Sequence, residues 1–181
     1  MSNIGFYPTT QLNPYTTTIG SEGTYQSIMS YIYGASSFEV LPSGTITTSS
    51  TTLEYGDISL TFTPINSTSL KLSYDIYNGS PTTASGASLQ YNLYIDTNTP
   101  PAAGSTVPTT AILIDAGGLA IGQFKSQTLI FTNGVIYGGS QSGTDYTINL
   151  NTTYYFTWYA NSGTSGTIVY LTEYGMIIQS I

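Results

Sequence analysis

The chain of 181 residues contains no cysteine and no histidine, and its lysines and arginines together number two. Without sulfur or imidazole, disulfides, thiol nucleophiles, the usual zinc ligand sets and the Ser–His or Cys–His nucleophile–base pairs are excluded together. The missing disulfides do not assign a compartment, because many extracellular β proteins also lack them. Phosphate recognition needs clustered basic side chains, and Lys71 and Lys125 stand alone, so neither direct nucleic-acid binding nor a polybasic membrane anchor is expected. Charged residues make up 6% of the chain, against about 25% in ordinary domains. The surface must therefore be covered by hydroxyl, amide, glycine and tyrosine groups, with few ion pairs for salt to screen. No apolar run reaches the roughly 18 residues of a membrane-spanning helix, so no span is expected. Residues 1–8 carry neither a basic nor an apolar region, so no secretory signal is expected there.

What the chain does have is apolar content, 40% of residues, with 17 tyrosines and Trp158 prominent in it. That is enough for a packed core. The apolar residues recur with a period of two. Ile58, Leu60 and Phe62 alternate with Ser59, Thr61 and Thr63. Leu70, Leu72, Tyr74 and Ile76 alternate with Lys71, Ser73 and Asp75. Leu89, Tyr91, Leu93 and Ile95 alternate with Gln90, Asn92 and Tyr94, and Tyr154, Phe156 and Trp158 with Tyr155, Thr157 and Tyr159. This spacing predicts strands with one face in a core and one outside. Further strands are expected at 44–48, 111–115, 127–132, 146–150 and 167–178. Asn78-Gly79-Ser80-Pro81, Asn133-Gly134, Gly138-Gly139 and Asn161-Ser162-Gly163 supply turn chemistry between them, and a longer Pro- and Gly-bearing loop runs over 97–110.

Eight to ten such strands, with no βαβ rhythm and no internal repeat, predict an all-β protein, an antiparallel two-sheet sandwich of the single jelly-roll type. Residues 37–181 form this domain. Residues 1–36 lack steady periodicity and are broken by Pro8 and Pro14, so they are expected as an N-terminal arm or outer strand packed on a neighbour.

Candidate sites are sparse. Glu54 and Asp57 flank Tyr55-Gly56 and are, in sequence, the closest pair of acids of the kind a glycosidase mechanism uses. The simpler reading is that they keep a weakly charged surface soluble. Turn carboxylates at Asp57, Asp96 or Asp115 suit calcium, but no Asp-x-Asp-x-Asp loop accompanies them. Lys71 falls on a polar strand face and Lys125 has no basic neighbour, so neither is expected to activate a serine. Gly117-Gly118 and Gly138-Gly139 lack the following Gly-Lys of a phosphate loop. Asn66, Asn78 and Asn151 begin glycosylation-type triplets, which a Ser/Thr-rich chain produces by chance. No enzyme activity, metal or cofactor is expected. Tyr94, Tyr155 and Tyr159 lie on the polar side of their strands and are the interface candidates, since tyrosine offers a flat apolar ring with a polar tip.

The run Tyr146 to Tyr159 reads as a strand, a polar turn and an aromatic strand, followed by the Ser/Gly/Thr segment 162–167 and a last strand at 168–178. In this it resembles the end of viral jelly-roll domains, among them spike and fibre heads of TNF- or C1q-like fold and single-jelly-roll capsid proteins. The resemblance implies a virion structural protein, a capsid-shell subunit or a vertex spike or fibre head. Such a protein self-associates as a trimer or larger assembly, contacts other virion proteins and in some cases a host glycan or receptor. The alternative is an extracellular carbohydrate-binding module or adhesin, which the aromatic content also suits.

Overall fold

A computed structural model of the chain describes residues 38–41, 44–65, 67–80, 88–164 and 166–181. The stretch 1–36 expected as an arm lies outside the described residues. Ten strands form among these residues: β1 (Phe38–Leu41), β2 (Gly44–Thr48), β3 (Glu54–Phe62), β4 (Leu70–Asn78), β5 (Leu89–Asp96), β6 (Ile112–Leu119), β7 (Phe124–Thr132), β8 (Val135–Tyr137), β9 (Tyr154–Ser162) and β10 (Val169–Ser180). There is no helix among the described residues.

The strands make two antiparallel sheets. One runs β1-β10-β4-β7-β8, with β2 also paired to β10; the other runs β3-β9-β5-β6. The pairing is nested: β1 and β2 meet β10, β3 meets β9, β4 meets β7 and β5 meets β6. Rolling one long hairpin into two sheets produces this nesting, and the order is consistent with a jelly roll of two Greek keys.

Alternation in the sequence decides which side chains lie between the sheets. Leu60 and Phe62 of β3, Leu70, Leu72 and Ile76 of β4, Leu89, Leu93 and Ile95 of β5, and Tyr154, Phe156 and Trp158 of β9 are all buried in one core cluster. Asn133-Gly134 forms the two-residue hairpin between β7 and β8 with both φ angles positive, 52° and 75°, as an Asn-Gly pair favours. Gly56 lies where β2 and β3 close on each other: a Cβ there would overlap the Ile46 side chain. Beside it the register of β3 on β9 slips between Tyr55 and Ser59, and Asp57 takes a φ of 62° in the bulge.

The segment 146–150, expected as a strand, is not one. Its backbone bonds leave the ladder: Tyr146 N–H donates to Gly134 O at 2.7 Å, and Asn149 N–H to the Tyr154 hydroxyl at 2.8 Å. The hydrophobic signal there comes from Ile148, which is buried at 3% exposure and packs into the core without sheet pairing.

Candidate functional site

The tyrosines singled out from the sequence lie on the outer face of the β3-β9-β5-β6 sheet. Loop 97–110 runs from the end of β5 to the backbone of β3. It is fastened at its start by Asp96, whose Oδ1 accepts from the backbone N–H of Thr97 (2.7 Å) and Asn98 (3.0 Å) and whose Oδ2 accepts from the Thr110 hydroxyl (2.6 Å). Its tip reaches β3, the last described strand of this sheet, where Tyr55 N–H donates to Ser105 O (2.9 Å) and Gly104 N–H to Tyr55 O (2.8 Å). Tyr159 on β9 lies between β3 and β5 in the sheet, with its ring centroid 5.6 Å from that of Tyr55 on β3 and 5.3 Å from that of Tyr94 on β5.

Tyr159 is only 1% exposed, and burial pushes its hydroxyl up to about 12. The interface candidate Tyr159 is thus buried within its own chain, since the outer side of a strand is an open surface only where nothing in the same chain packs on it. Tyr94 and Tyr155 are half-buried on the same face. The Tyr94 hydroxyl accepts a hydrogen bond from Asn92 Nδ2 at 3.0 Å.

A second cluster joins the two sheets inside the sandwich. Asp115 on β6 is fully buried and faces Lys125 on β7 across the core, Nζ to Oδ2 2.7 Å. Tyr74 on β4 donates its hydroxyl to the same Oδ2, and Ser140 N–H donates to Oδ1 at 2.6 Å. Lys125 also donates to the Tyr91 hydroxyl and lies 5.0 Å from the Tyr91 ring centroid. Trp158 packs edge-on against Tyr74 (4.9 Å) and Tyr91 (5.8 Å).

Gly139 makes the Ser140 contact possible. It has a φ of 66°, and a Cβ there would stand 2.8 Å from Asp115 Oδ1. Burial alone would raise the Asp115 carboxyl, but the bonds from Lys125, Tyr74 and Ser140 outweigh it and hold the group below the usual carboxylate range. Burial would lower Lys125, and the contacts to Asp115 and Tyr91 outweigh it in the opposite sense, so the ammonium is favoured. Burial and the bond to Asp115 raise the Tyr74 hydroxyl far above its ordinary value. The result is a stable ion pair between sheets, with no group poised to exchange a proton near neutral pH.

Glu173 on β10 is different. It is fully buried, and neither carboxyl oxygen has a hydrogen-bond partner among the described residues. It follows Val169 and Leu171 in the inward phase of β10, opposite Ile76 of β4 and Gly44 of β2. Just beyond it the register on β4 slips between Glu173 and Gly175. Burial is the main cause that pushes its carboxyl up to about 7. The Asp75 charge adds to this, and the Gly175 N–H eases it without reaching hydrogen-bond geometry.

The other sequence candidates serve the structure. Glu54 accepts from the Thr48 hydroxyl (3.2 Å), and Asp57 lies in the bulge beside the Tyr55 hydroxyl (3.5 Å). Asp57, Asp96 and Asp115 are not brought together, and no three metal-ligating side chains cluster among the described residues. Asn78 is fully buried, with Nδ2 donating to Leu119 O at 2.8 Å, so its triplet is closed to modification in the folded chain. Lys125 and Glu173 were legible as inward residues. Lys125 is in phase with Leu129 and Phe131, and Glu173 with Val169 and Leu171. Their partners were not legible, because Asp115 lies on the other sheet and Glu173 finds no hydrogen-bond partner among the described residues.

No family model matches this chain, and no curated protein matches it. Among solved structures, the chain is similar to one of infectious bursal disease virus, Gt strain, at TM-score 0.38 and 12% identity over 82% of its length. It is also similar to one of the Gx strain of that virus, at TM-score 0.34 and 12% identity over 81%. The chain spans 32% of the length of each, about a third.

Proposed function

We propose that the chain is a virion structural subunit, a shell protein or a vertex spike or fibre head, which assembles with copies of itself and with other virion proteins. The observation that carries this reading lies at one end of the sandwich, where Ile65, Leu150 and Ile181 are 55%, 42% and 52% exposed. Their loops are tied into one surface: Asn151 N–H donates to Pro64 O (2.8 Å), and Ile181 N–H to Ser69 O (2.9 Å). No side chain in 63–69 or 149–153 is charged. Soluble monomers keep such apolar ends small or ring them with charge, because burying them against a neighbour is favourable.

The charge pattern supports the same reading. Lys125, one of the two cations, is spent inside on Asp115. A structural role asks for no catalytic group, and Glu54, Asp96 and Asp115 are all engaged in holding the fold.

Sedimentation across a concentration series, at low and high salt, tests the proposal. A trimer or larger species that persists in high salt is expected, since apolar contact is not screened. Ile65→Lys combined with Leu150→Lys should return the mass of one chain with the β spectrum intact. A wild-type chain that sediments as a monomer at high concentration refutes it.

A further inference from the structure

We infer that the outer face of the β1-β10-β4-β7-β8 sheet carries a binding site for neutral saccharides, centred on a recess over Gly175. The inference goes beyond the virion role and does not need it: a chain that fails to assemble can still bind a sugar, and an assembling chain need not.

The recess exists because the bulge after Glu173 puts a glycine on the outer face of β10, where a Cβ would meet nothing within 4 Å. Ser73 and Asp75 of β4, Ser126 and Thr128 of β7, and Ile177 of β10 line it. Asp75 and Ser126 are direct cross-strand partners, as are Ser73 and Thr128, whose hydroxyls are 3.0 Å apart. Two residues further along the same face of β4 is Tyr77, opposite Phe124 of β7. Their ring centroids are 4.5 Å apart, and Phe124 is 61% exposed.

The groups in this groove are those that pyranose recognition uses. An exposed carboxylate accepts from ring hydroxyls, serine and threonine hydroxyls both give and accept, and the apolar C–H face of the sugar rests on an aromatic ring and an aliphatic side chain. Among the described residues no side chain bonds or pairs with the Asp75 carboxylate. The salt bridge among the described residues is Lys125–Asp115, with Lys125 turned inward one position before Ser126. Lys71 shares the outer face of β4 but lies four residues away, about 13 Å along the strand. With a carboxylate and no cation, the recess selects against sialylated, sulfated or uronic-acid sugars.

The test is binding of multivalent conjugates carrying mannose, galactose or N-acetylglucosamine termini, alongside sialylated and sulfated counterparts and a lysine-rich peptide. At least one neutral conjugate should bind, with the anionic forms at least tenfold weaker. Gly175→Val, which fills the recess, and Asp75→Ala should each weaken binding at least tenfold with the melting temperature held within a few degrees. Gln90→Ala on the opposite sheet should leave binding unchanged. No neutral conjugate bound, binding that survives both recess variants, or capture of the lysine-rich peptide in place of sugars overturns the inference.

Discussion

Glu173 should make the stability of this protein depend on pH in a window where almost nothing else can. Its carboxyl titrates at about 7 in the folded chain against the ordinary 4.5. At about 1.36 kcal/mol per pH unit the gap corresponds to about 3 kcal/mol. Water entry around the ionised group would lower that figure, so it is an upper bound.

The sign follows from which state binds the proton more tightly. Below the unfolded value both states are protonated and the fold keeps its full stability. Between that value and about 7 the unfolded chain ionises first and stability falls. Above about 7 it levels off at its lower value. The chain has no histidine, so between pH 5 and 8 an amino terminus is the other ordinary group that titrates. Asp115 is held below the usual range, and its contribution is lost only in stronger acid. Glu173→Gln removes the titration and keeps the shape. For a domain of this size, 3 kcal/mol is roughly 6–12 °C in melting temperature. Scanning calorimetry from pH 5 to 8 should show the wild type losing up to that much while Glu173→Gln stays nearly level. A flat wild-type profile, or a slope that survives in the variant, would refute the account of Glu173 as a buried carboxyl without a partner.

Two further outcomes are expected. Lys125→Met leaves the Asp115 carboxylate buried and uncompensated, and chemical denaturation should show a loss of about 3–5 kcal/mol, part of which Asp115→Asn in the same chain restores. Asp96→Ala removes the acceptor that fastens loop 97–110, so limited proteolysis should cut within that loop in the variant and spare it in the wild type.

Much of the fold could be read from the chain because its signals are local. Period-two alternation sorts Leu70, Leu72 and Ile76 from Lys71, Ser73 and Asp75, and burial in the sandwich enforces the same sorting. The Asn133-Gly134 hairpin needs only the positive φ that those two residues tolerate. At 146–150 the local signal failed, because an apolar residue such as Ile148 can be buried from a loop as well as from a strand.

Only the tertiary structure decided the rest. Alternation shows that Tyr159 leaves the core face of β9, but not that it would be buried there against Tyr55 of β3 and Tyr94 of β5. It shows that Lys125 and Glu173 turn inward, but not that one meets Asp115 from the opposite sheet while the other finds no hydrogen-bond partner among the described residues. The recess over Gly175 depends on a bulge that shifts β10 against β4, and a register shift is a property of two strands together. Periodicity assigns a face to each side chain. What lies across from that face is set by how the strands nest, and contacts between residues distant in the chain leave no mark on the pattern of either segment alone.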